Sequence, residues 1–205
     1  QSAQNLTRPG EWVDMSLPVV HNWWATVALW VQKTSYSGVS LSKSGGHPVG
    51  GETVATVTDV AAYILTKRGS MSAMKLEKLV YYSQAWHLVW EEKPLFDSRI
   101  EAWANGPVVP DLYRMHWGQF TVTATDIGGD QTNLEPDEVS SIDAVLDFYG
   151  DMSAHELSNL THREDPWVCA RRSADLAPMQ RGQVEISLGA MQEYYLSLAL
   201  VDDEA

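Results

Sequence analysis

Side chains of types that take part in catalysis include Glu101, His162, Asp165 and Cys169. A histidine beside a carboxylate can transfer protons, and a thiol becomes a nucleophile when a nearby base lowers its pKa. One hypothesis is therefore a small hydrolase or transferase that uses Glu101, His162 and Asp165, with or without Cys169. It requires these side chains to converge in one cleft. The P-loop, GxSxG, HExxH and dinucleotide-binding glycine patterns do not occur in the sequence.

Metal binding is a second chemical hypothesis, with His155 and His162 as ligands. A zinc site needs three or four ligands in a defined geometry, and no recurring His, Cys or Asp spacing supplies them. We predict no metal and no cofactor. The single cysteine, Cys169, excludes an internal disulfide and a Cys-rich zinc module, and it is typical of a reducing compartment such as the cytoplasm.

The charge of the chain argues against nucleic-acid binding. The 205 residues include 14 Lys and Arg against 27 Asp and Glu, for a net charge of −13. Such a surface repels phosphate backbones unless a local basic patch compensates. The densest basic clusters are only Lys67-Arg68 and Arg171-Arg172. The 44% of hydrophobic residues is enough to build a core.

Composition divides the chain near residue 53. Residues 1–53 hold three basic and three acidic side chains, which leaves the whole net charge to residues 54–205. The second half of the first segment is rich in serine and glycine and lacks apolar periodicity. We therefore predict a poorly ordered N-terminal extension, 1–53, followed by a domain, 54–205.

The residues at the boundary between the extension and the domain suggest an origin for the extension. Gly50-Gly51-Glu52-Thr53 permits a GGAGG ribosome-binding sequence just before a GTG codon at Val54. We hypothesise that Val54 is the native initiator and that residues 1–53 are translated upstream sequence. The alternative is a natural, flexible extension.

The uncharged run 15–32 approaches the length of a membrane span. The hydrophobicity of this run is reduced by Pro18, His21, Asn22 and Gln32. The start of the chain lacks a convincing signal peptide. We predict no membrane association.

Residues 54–205 favour a mainly α fold, a compact helical domain with a minor β component (α+β). Apolar spacings of three and four predict most of the helices, with a cap at Thr58, a capping box at Ser153 and Glu156, and stop signals at the ends. The second helix has an apolar stripe on one face, from Leu76 to Trp90. Pro110 is suited to the first turn of a further helix. Short β-prone runs predict the strands. The predicted helices start near Thr58, Ala73, Pro110, Asp137, Ser153 and Ser187, and the predicted strands are 99–103, 121–123 and 184–186.

An ordered set of motifs resembles the Panacea domain, the SocA-like family of bacterial antitoxins, over residues 57–200. The set begins with Lys75-Leu-Glu-Lys78 and Tyr81-Tyr82-Ser-Gln84-Ala-Trp86-His87. It continues with Glu101-Ala-Trp103 and Gly106-Pro107-Val108, and it closes with Thr161-His162 and Asp165-Pro166-Trp167. Residues 1–53 match nothing in this pattern.

The resemblance implies a non-enzymatic, cytoplasmic protein of bacterial or phage origin. It implies an antitoxin that neutralises a cognate toxin, encoded nearby, by direct protein–protein binding. A further alternative is a proteolytic adaptor that delivers the toxin to the ClpXP protease. The acidic charge would steer association with a basic toxin.

The residues of the Glu101–Val108 block have two interpretations. Gly106 permits a backbone conformation closed to other residues, and Pro107 fixes the next φ angle. The block is then either a surface turn that presents Trp103 to the partner or an internal corner with Trp103 buried. Burial is the more common outcome for large aromatic side chains.

Two interpretations also remain for the lysines of the second helix. Lys78 either pairs with a carboxylate such as Glu101, or contacts an acidic or phosphorylated partner together with Lys75. Tyr82 and Trp86 are expected mainly in the core, with one tyrosine able to line a groove. His162 would bond the carbonyls at the end of its own helix. The candidate partner-binding residues are Lys75, Lys78, Tyr82, Trp86, Glu101, Trp103, Thr161, His162 and Trp167, and the motif is shaped by Gly106, Pro107, Val108 and Pro166.

Overall fold

The computed structural model describes residues 55–177 and 179–201. The predictions for the extension 1–53, for Val54 as initiator and for the run 15–32 lie outside these residues. No helix within the described ranges is long and apolar enough to cross a membrane.

The fold is mainly helical with a minor sheet component, as predicted. In chain order the elements are α1 (Val57–Arg68), β1 (Met71–Ser72), α2 (Ala73–Trp90), β2 (Ile100–Trp103), β3 (Gly106–Val108), α3 (Pro110–Met115), β4 (Thr121–Val122), α4 (Ala124–Ile127), a 3-10 turn (Gln131–Asn133), α5 (Pro136–Tyr149), α6 (Ala154–Thr161), α7 (Asp165–Ser173), β5 (Glu185–Ile186) and α8 (Leu188–Val201).

The predicted helices and strands all form within a few residues of their expected positions. The structure adds five elements that were not predicted: β1, β3, α4, the 3-10 turn and α7. Capping explains where several helices begin. Ser72 accepts a hydrogen bond from the backbone of Lys75, and Ser153 and Glu156 form the expected capping box. The prediction of Thr58 as a cap is wrong. The cap of α1 is Thr56, two residues before Thr58. The side chains of Thr56 and Asp59 form a capping box there.

The central element is α2, which packs against α1, α5, α6, α8 and strand β3. Every residue from Leu76 to Leu88 is buried. The predicted apolar stripe therefore underestimates the burial, since neighbours cover this helix on all sides. Polar residues on α2 must consequently find partners inside the protein.

Gln84 and His87 illustrate how these partners are found. The Gln84 carboxamide accepts from Leu95 N (2.9 Å) and Phe96 N (3.1 Å) and donates to Phe96 O (3.1 Å), which fixes the loop after Pro94 to α2. His87 Nδ1 lies 2.9 Å from Ser141 Oγ. Burial lowers the pKa of His87 to about 4, so the ring is neutral near pH 7.

Two small antiparallel sheets accompany the helices. One pairs β1 with β4, and the other has the strand order β3-β2-β5. Trp103 lies opposite Gly106 in the register of β2 and β3, which leaves Ala104 and Asn105 as the two-residue turn of a hairpin. We call residues 100–108 the β2–β3 hairpin.

A buried carboxyl group connects α2 with the last two helices. Glu164 Oε1 accepts from Tyr82 Oη (3.1 Å), and Glu164 Oε2 accepts from Tyr195 Oη (2.8 Å). Glu164 is 4% exposed. Burial raises the pKa of Glu164 to about 7, although the two tyrosine hydroxyls oppose the effect. The folded protein thus binds a proton that the unfolded chain releases at lower pH.

This predicts a specific pH dependence of stability. We expect the free energy of unfolding to decrease as the pH rises from 4.5, the ordinary pKa of the group, to about 7. The Glu164 contribution is fully present below this interval and is lost above it, and it amounts to at most about 3 kcal/mol. Urea unfolding of the wild type and of Glu164→Gln across the interval measures it. The variant lacks the titrating group and should show the flatter profile, and identical profiles would contradict the assignment.

Candidate protein-binding cleft

The β2–β3 hairpin is held by side chains rather than by a larger sheet. Four of its backbone carbonyls each accept a hydrogen bond from another element. These bonds run from Arg171 to Ala102 O (2.9 Å), from Trp167 to Trp103 O (2.9 Å), from Ser158 to Asn105 O (3.0 Å) and from Lys78 to Pro107 O (2.6 Å). We call these four donors the hairpin clamp. They come from α2, α6 and α7, so the hairpin joins three helices.

His162 supports the same hairpin. Its side chain bonds the backbone of Ala104, and its ring centroid lies 4.3 Å from that of Trp167. The residue does follow the last turn of α6 as predicted, but its imidazole bonds the hairpin instead of that helix's own carbonyls. Burial lowers the pKa of His162, and the charge of Lys78 adds to the effect. His162 Nε2 is buried and has no hydrogen-bond partner among the described residues.

Gly106 allows the hairpin to approach Lys78 closely. Its φ of 102° lies in the region that favours glycine. A Cβ at this position would lie 2.7 Å from Lys78 Cε and 2.8 Å from Thr161 Oγ1. Lys78 is only 1% exposed, and burial lowers its pKa to about 8, an effect that neighbouring Glu77 partly opposes.

Glu77, the neighbour of Lys78 on α2, fixes the chain that leaves the hairpin. Glu77 Oε2 accepts from Val109 N (2.8 Å), and Glu77 Oε1 lies 2.8 Å from His116 Nε2. Both side chains of the Glu77–His116 pair are 3% exposed. Glu77 therefore attaches both ends of α3 to α2, the first through Val109 and the last through His116.

A cleft of about 870 Å³ opens beside this arrangement. It lies between the start of α2, the hairpin turn, the end of α3 and residues 181–183. Buried Glu77 and Lys78 contribute to its base, and Trp103, Tyr113 and Trp117 contribute aromatic surface. We call it the hairpin cleft. Its volume is within the range of about 300–1,000 Å³ that is typical of ligand sites.

Exposed apolar side chains surround the cleft. Trp117 is 72% exposed and Phe120 is 84% exposed. Met74 and Trp117 line the cleft, and Phe120 is held beside α2 because its carbonyl accepts from Ala73 N (2.9 Å). Met115, 46% exposed, ends α3. We call Met74, Met115, Trp117 and Phe120 the apolar rim. Large exposed apolar groups in one region typically mark interaction sites.

Most of the predicted partner-binding residues are part of the scaffold. Six of them are buried in this conformation: Lys78, Tyr82, Trp86, Glu101, Thr161 and Trp167. Their contacts support the fold, and their role in binding a partner stays a prediction. Trp103, His162 and Lys75 are partly exposed, and Lys75 donates to Gly150 O (2.7 Å).

The predicted pair between Lys78 and Glu101 is not formed. Lys78 donates to Pro107 O, whereas Glu101 binds Arg99 (2.9 Å) and accepts from Trp103 Nε1 (2.7 Å). The reason is the hairpin register. Glu101 lies opposite Val108, two residues from the turn, while Lys78 packs against Gly106 and Pro107. Gly106, Pro107 and Val108 are buried, as an internal corner requires, but Trp103 is only partly buried, so the structure lies between the two interpretations.

The residues of the hydrolase or transferase hypothesis do not meet in a described cleft. Glu101 is buried, Asp165 and Cys169 are exposed, and His162 is partly exposed. None of them lines the hairpin cleft or a smaller cleft beside Trp167 and Arg171. Among the described residues, no group of three or more His, Cys, Asp or Glu side chains is placed to hold a metal ion.

The sequence analysis did not identify several residues of the cleft. Glu77 and His116 are far apart in the chain, and no pattern indicates that they pair. Trp117 follows a predicted helix directly and precedes a glycine, so its position at a helix end was a usable signal for exposure. Arg181 lies in a segment without periodicity, and only the tertiary structure places it at the cleft.

The close approach at Gly106 predicts a large effect of a single methyl group. Gly106→Ala should lower the free energy of unfolding by about 2–4 kcal/mol, because the positive φ is strained and the new Cβ meets both Lys78 and Thr161. Chemical denaturation measures the loss.

Gly69→Ala is the matched control. Gly69 also has a positive φ, 76°, but a Cβ there meets nothing within 4 Å. The control should therefore cost only about 1–2 kcal/mol, the strain of the backbone alone. Equal losses in the two variants would show that the packing against Lys78 adds no stability.

Comparison with known proteins gives one family match, over part of the chain. Residues 76–168 match the family model described as antitoxin SocA-like, Panacea domain. The match begins in α2, ends in α7 and includes the whole β2–β3 hairpin and three of the four clamp donors. It confirms the resemblance and supports a toxin–antitoxin role in general. Searches of curated proteins and of solved structures found no match to the chain.

Proposed function

We propose, from this family match and the apolar rim, that the protein is the antitoxin of a bacterial toxin–antitoxin pair. It neutralises a cognate toxin, encoded nearby, by binding the toxin protein directly. The observation that carries the proposal is the exposure of Trp117 and Phe120 beside the cleft of an antitoxin-like domain. Buried aromatic anchors dominate the energy of many protein interfaces, so such exposed side chains are suited to docking.

The scaffold supports docking because it holds the cleft rigidly. The hairpin clamp fixes one wall, and the Glu77–His116 pair fixes α3, which carries Tyr113 and precedes Trp117. A preformed surface loses less conformational entropy on binding than a flexible one. The acidic net charge favours rapid encounter with a basic toxin and disfavours direct nucleic-acid binding.

The mode of action we propose is sequestration in the cytoplasm, without catalysis. The dispersed positions of Glu101, His162, Asp165 and Cys169 support a non-catalytic role. An exposed free thiol at Cys169 is compatible with a reducing compartment. Delivery of the toxin to ClpXP is the alternative, and it predicts that bound toxin disappears in the presence of ClpXP and persists without it.

The proposal predicts which exposed side chain matters. Trp117→Ala should weaken the complex by about 2 kcal/mol or more, roughly 30-fold in Kd, and should reduce rescue of growth when the neighbouring reading frame is co-expressed. Calorimetry or surface plasmon resonance measures the affinity. Because Trp117 is 72% exposed, the stability of the free protein should change little.

Leu200→Ala is the matched control. Leu200 is 59% exposed on α8, far in sequence from the apolar rim, and its replacement should leave the affinity unchanged. If the neighbouring product is harmless alone and no complex is recovered, the antitoxin function is refuted. If Trp117→Ala binds like the wild type, the function stands and the rim is not the interface.

A further inference from the structure

The last strand of the three-stranded sheet has a free edge. The sheet order is β3-β2-β5, so β5 pairs with β2 on one side, and no strand lies on its other side among the described residues. The backbone hydrogen bond from Ala102 N to Val184 O (2.8 Å) extends this pairing to the residue before β5. A free edge of this kind can pair with a strand of another chain.

The chain is extended from residue 181 into β5. Exposure alternates along it, since Arg181, Gln183 and Glu185 are exposed and the residues that follow each of them are partly or fully buried. A Cβ at Gly182 would overlap with Leu176 Cδ1, so this second side packs against the chain that follows α7. A period of two is that of a strand with one packed side and one side in solvent.

The backbone of this segment points away from β2 at every second residue. Val184 O faces β2, and neighbouring residues of a strand direct their backbone groups to opposite edges. The N–H and C=O groups of Arg181, Gln183 and Glu185 therefore face the free edge. An antiparallel strand placed there can exchange backbone hydrogen bonds with them.

The charges on the exposed side of the segment are self-complementary. Arg181 and Glu185 lie two residues before and two residues after Gln183. An antiparallel copy with Gln183 opposite Gln183 places each Arg181 opposite the Glu185 of the other copy. Both side chains are exposed, and neither has an ion-pair partner within the described parts of the chain. Two opposite-charge pairs thus form on one face of the joined sheet.

Charge also selects this register over its neighbours. The backbone can pair when one of the three edge-facing residues lies on the symmetry axis. Alignment on Glu185 sets two glutamates opposite each other, and alignment on Arg181 sets two arginines opposite each other, which is unfavourable. Alignment on Gln183 replaces this repulsion by attraction.

Exposed apolar side chains flank the segment at both ends. Met179 precedes it and is 74% exposed, and Leu188 follows it and is 40% exposed. In an antiparallel pair the start of one segment lies beside the end of the other, so Met179 of one copy approaches Leu188 of the second. Contact between them adds apolar burial to the backbone hydrogen bonds and the charge pairs.

We propose that residues 181–185 pair with the same residues of a second copy, antiparallel about a two-fold axis at Gln183, and so join the two sheets in a homodimer. Such an interface uses one surface patch twice, as is usual for homodimers. Dimerisation needs no toxin, so it goes beyond the proposed function and does not depend on it.

Charge reversal tests the pairing. Arg181→Glu and Glu185→Arg each turn both attractive pairs into repulsive ones, and each should raise the Kd of the dimer at least about tenfold. An equimolar mixture of the two variants should associate like the wild type, because every glutamate then lies opposite an arginine. Sedimentation equilibrium of the full chain measures these Kd values.

Arg172→Glu is the matched control. It reverses an exposed arginine on α7, outside the segment, and should leave the Kd of the dimer unchanged. Gln183→Pro removes the central backbone N–H donor and should raise the Kd at least about tenfold. Circular dichroism should show the wild-type fold in all of these variants, since the substituted side chains are exposed.

Three results would overturn the proposal. They are a wild type that stays monomeric up to about 100 µM, equal effects of Arg172→Glu and Arg181→Glu, and a mixture of the two reversed variants that does not associate. A monomeric wild type whose toxin complex is weakened by Gln183→Pro would assign the edge to the toxin instead of a second copy. A dimer with the expected charge dependence supports the proposal even where no toxin complex is found.

Discussion

The interaction on which the domain depends is the hydrogen bond from the buried Lys78 ammonium to Pro107 O. A charged group in the interior is tolerated only with good partners, and this one forms because Gly106 lets the hairpin backbone lie against the lysine stem. The same contact brings Thr161 against Gly106 and so includes the end of α6. One close approach thereby connects α2, the hairpin and α6.

This constraint explains why many of the motif residues are buried. The hairpin has only three short strands in its sheet, so most of its carbonyls must be satisfied from outside. The hairpin clamp supplies a hydrogen bond to four of these carbonyls, from Arg171, Trp167, Ser158 and Lys78. Side chains that meet such a strict geometric requirement are fixed by the fold, whereas the exposed rim around Trp117 is free to suit a partner.

The distribution of charge gives the surface two different properties. The acidic majority acts at long range and affects the rate of encounter with a basic protein. The cleft acts at short range, where Lys78 and Arg181 stand beside aromatic rings.

The sequence by itself determined the mainly helical fold, the bounds of α2, the capping box at Ser153 and the resemblance of residues 76–168 to the antitoxin family model, since these depend on local spacing, cap chemistry and ordered motifs. We did not predict α7, although Pro166 in its first turn and Arg171 and Arg172 in its last turn are helix start and stop signals. The tertiary structure alone decided that Lys78 bonds Pro107 rather than Glu101, that Glu77 pairs with His116, and that Arg181 lines the cleft. These contacts join residues far apart in the chain, and the physical reason is that their geometry follows from hairpin register and helix packing, which no single segment encodes.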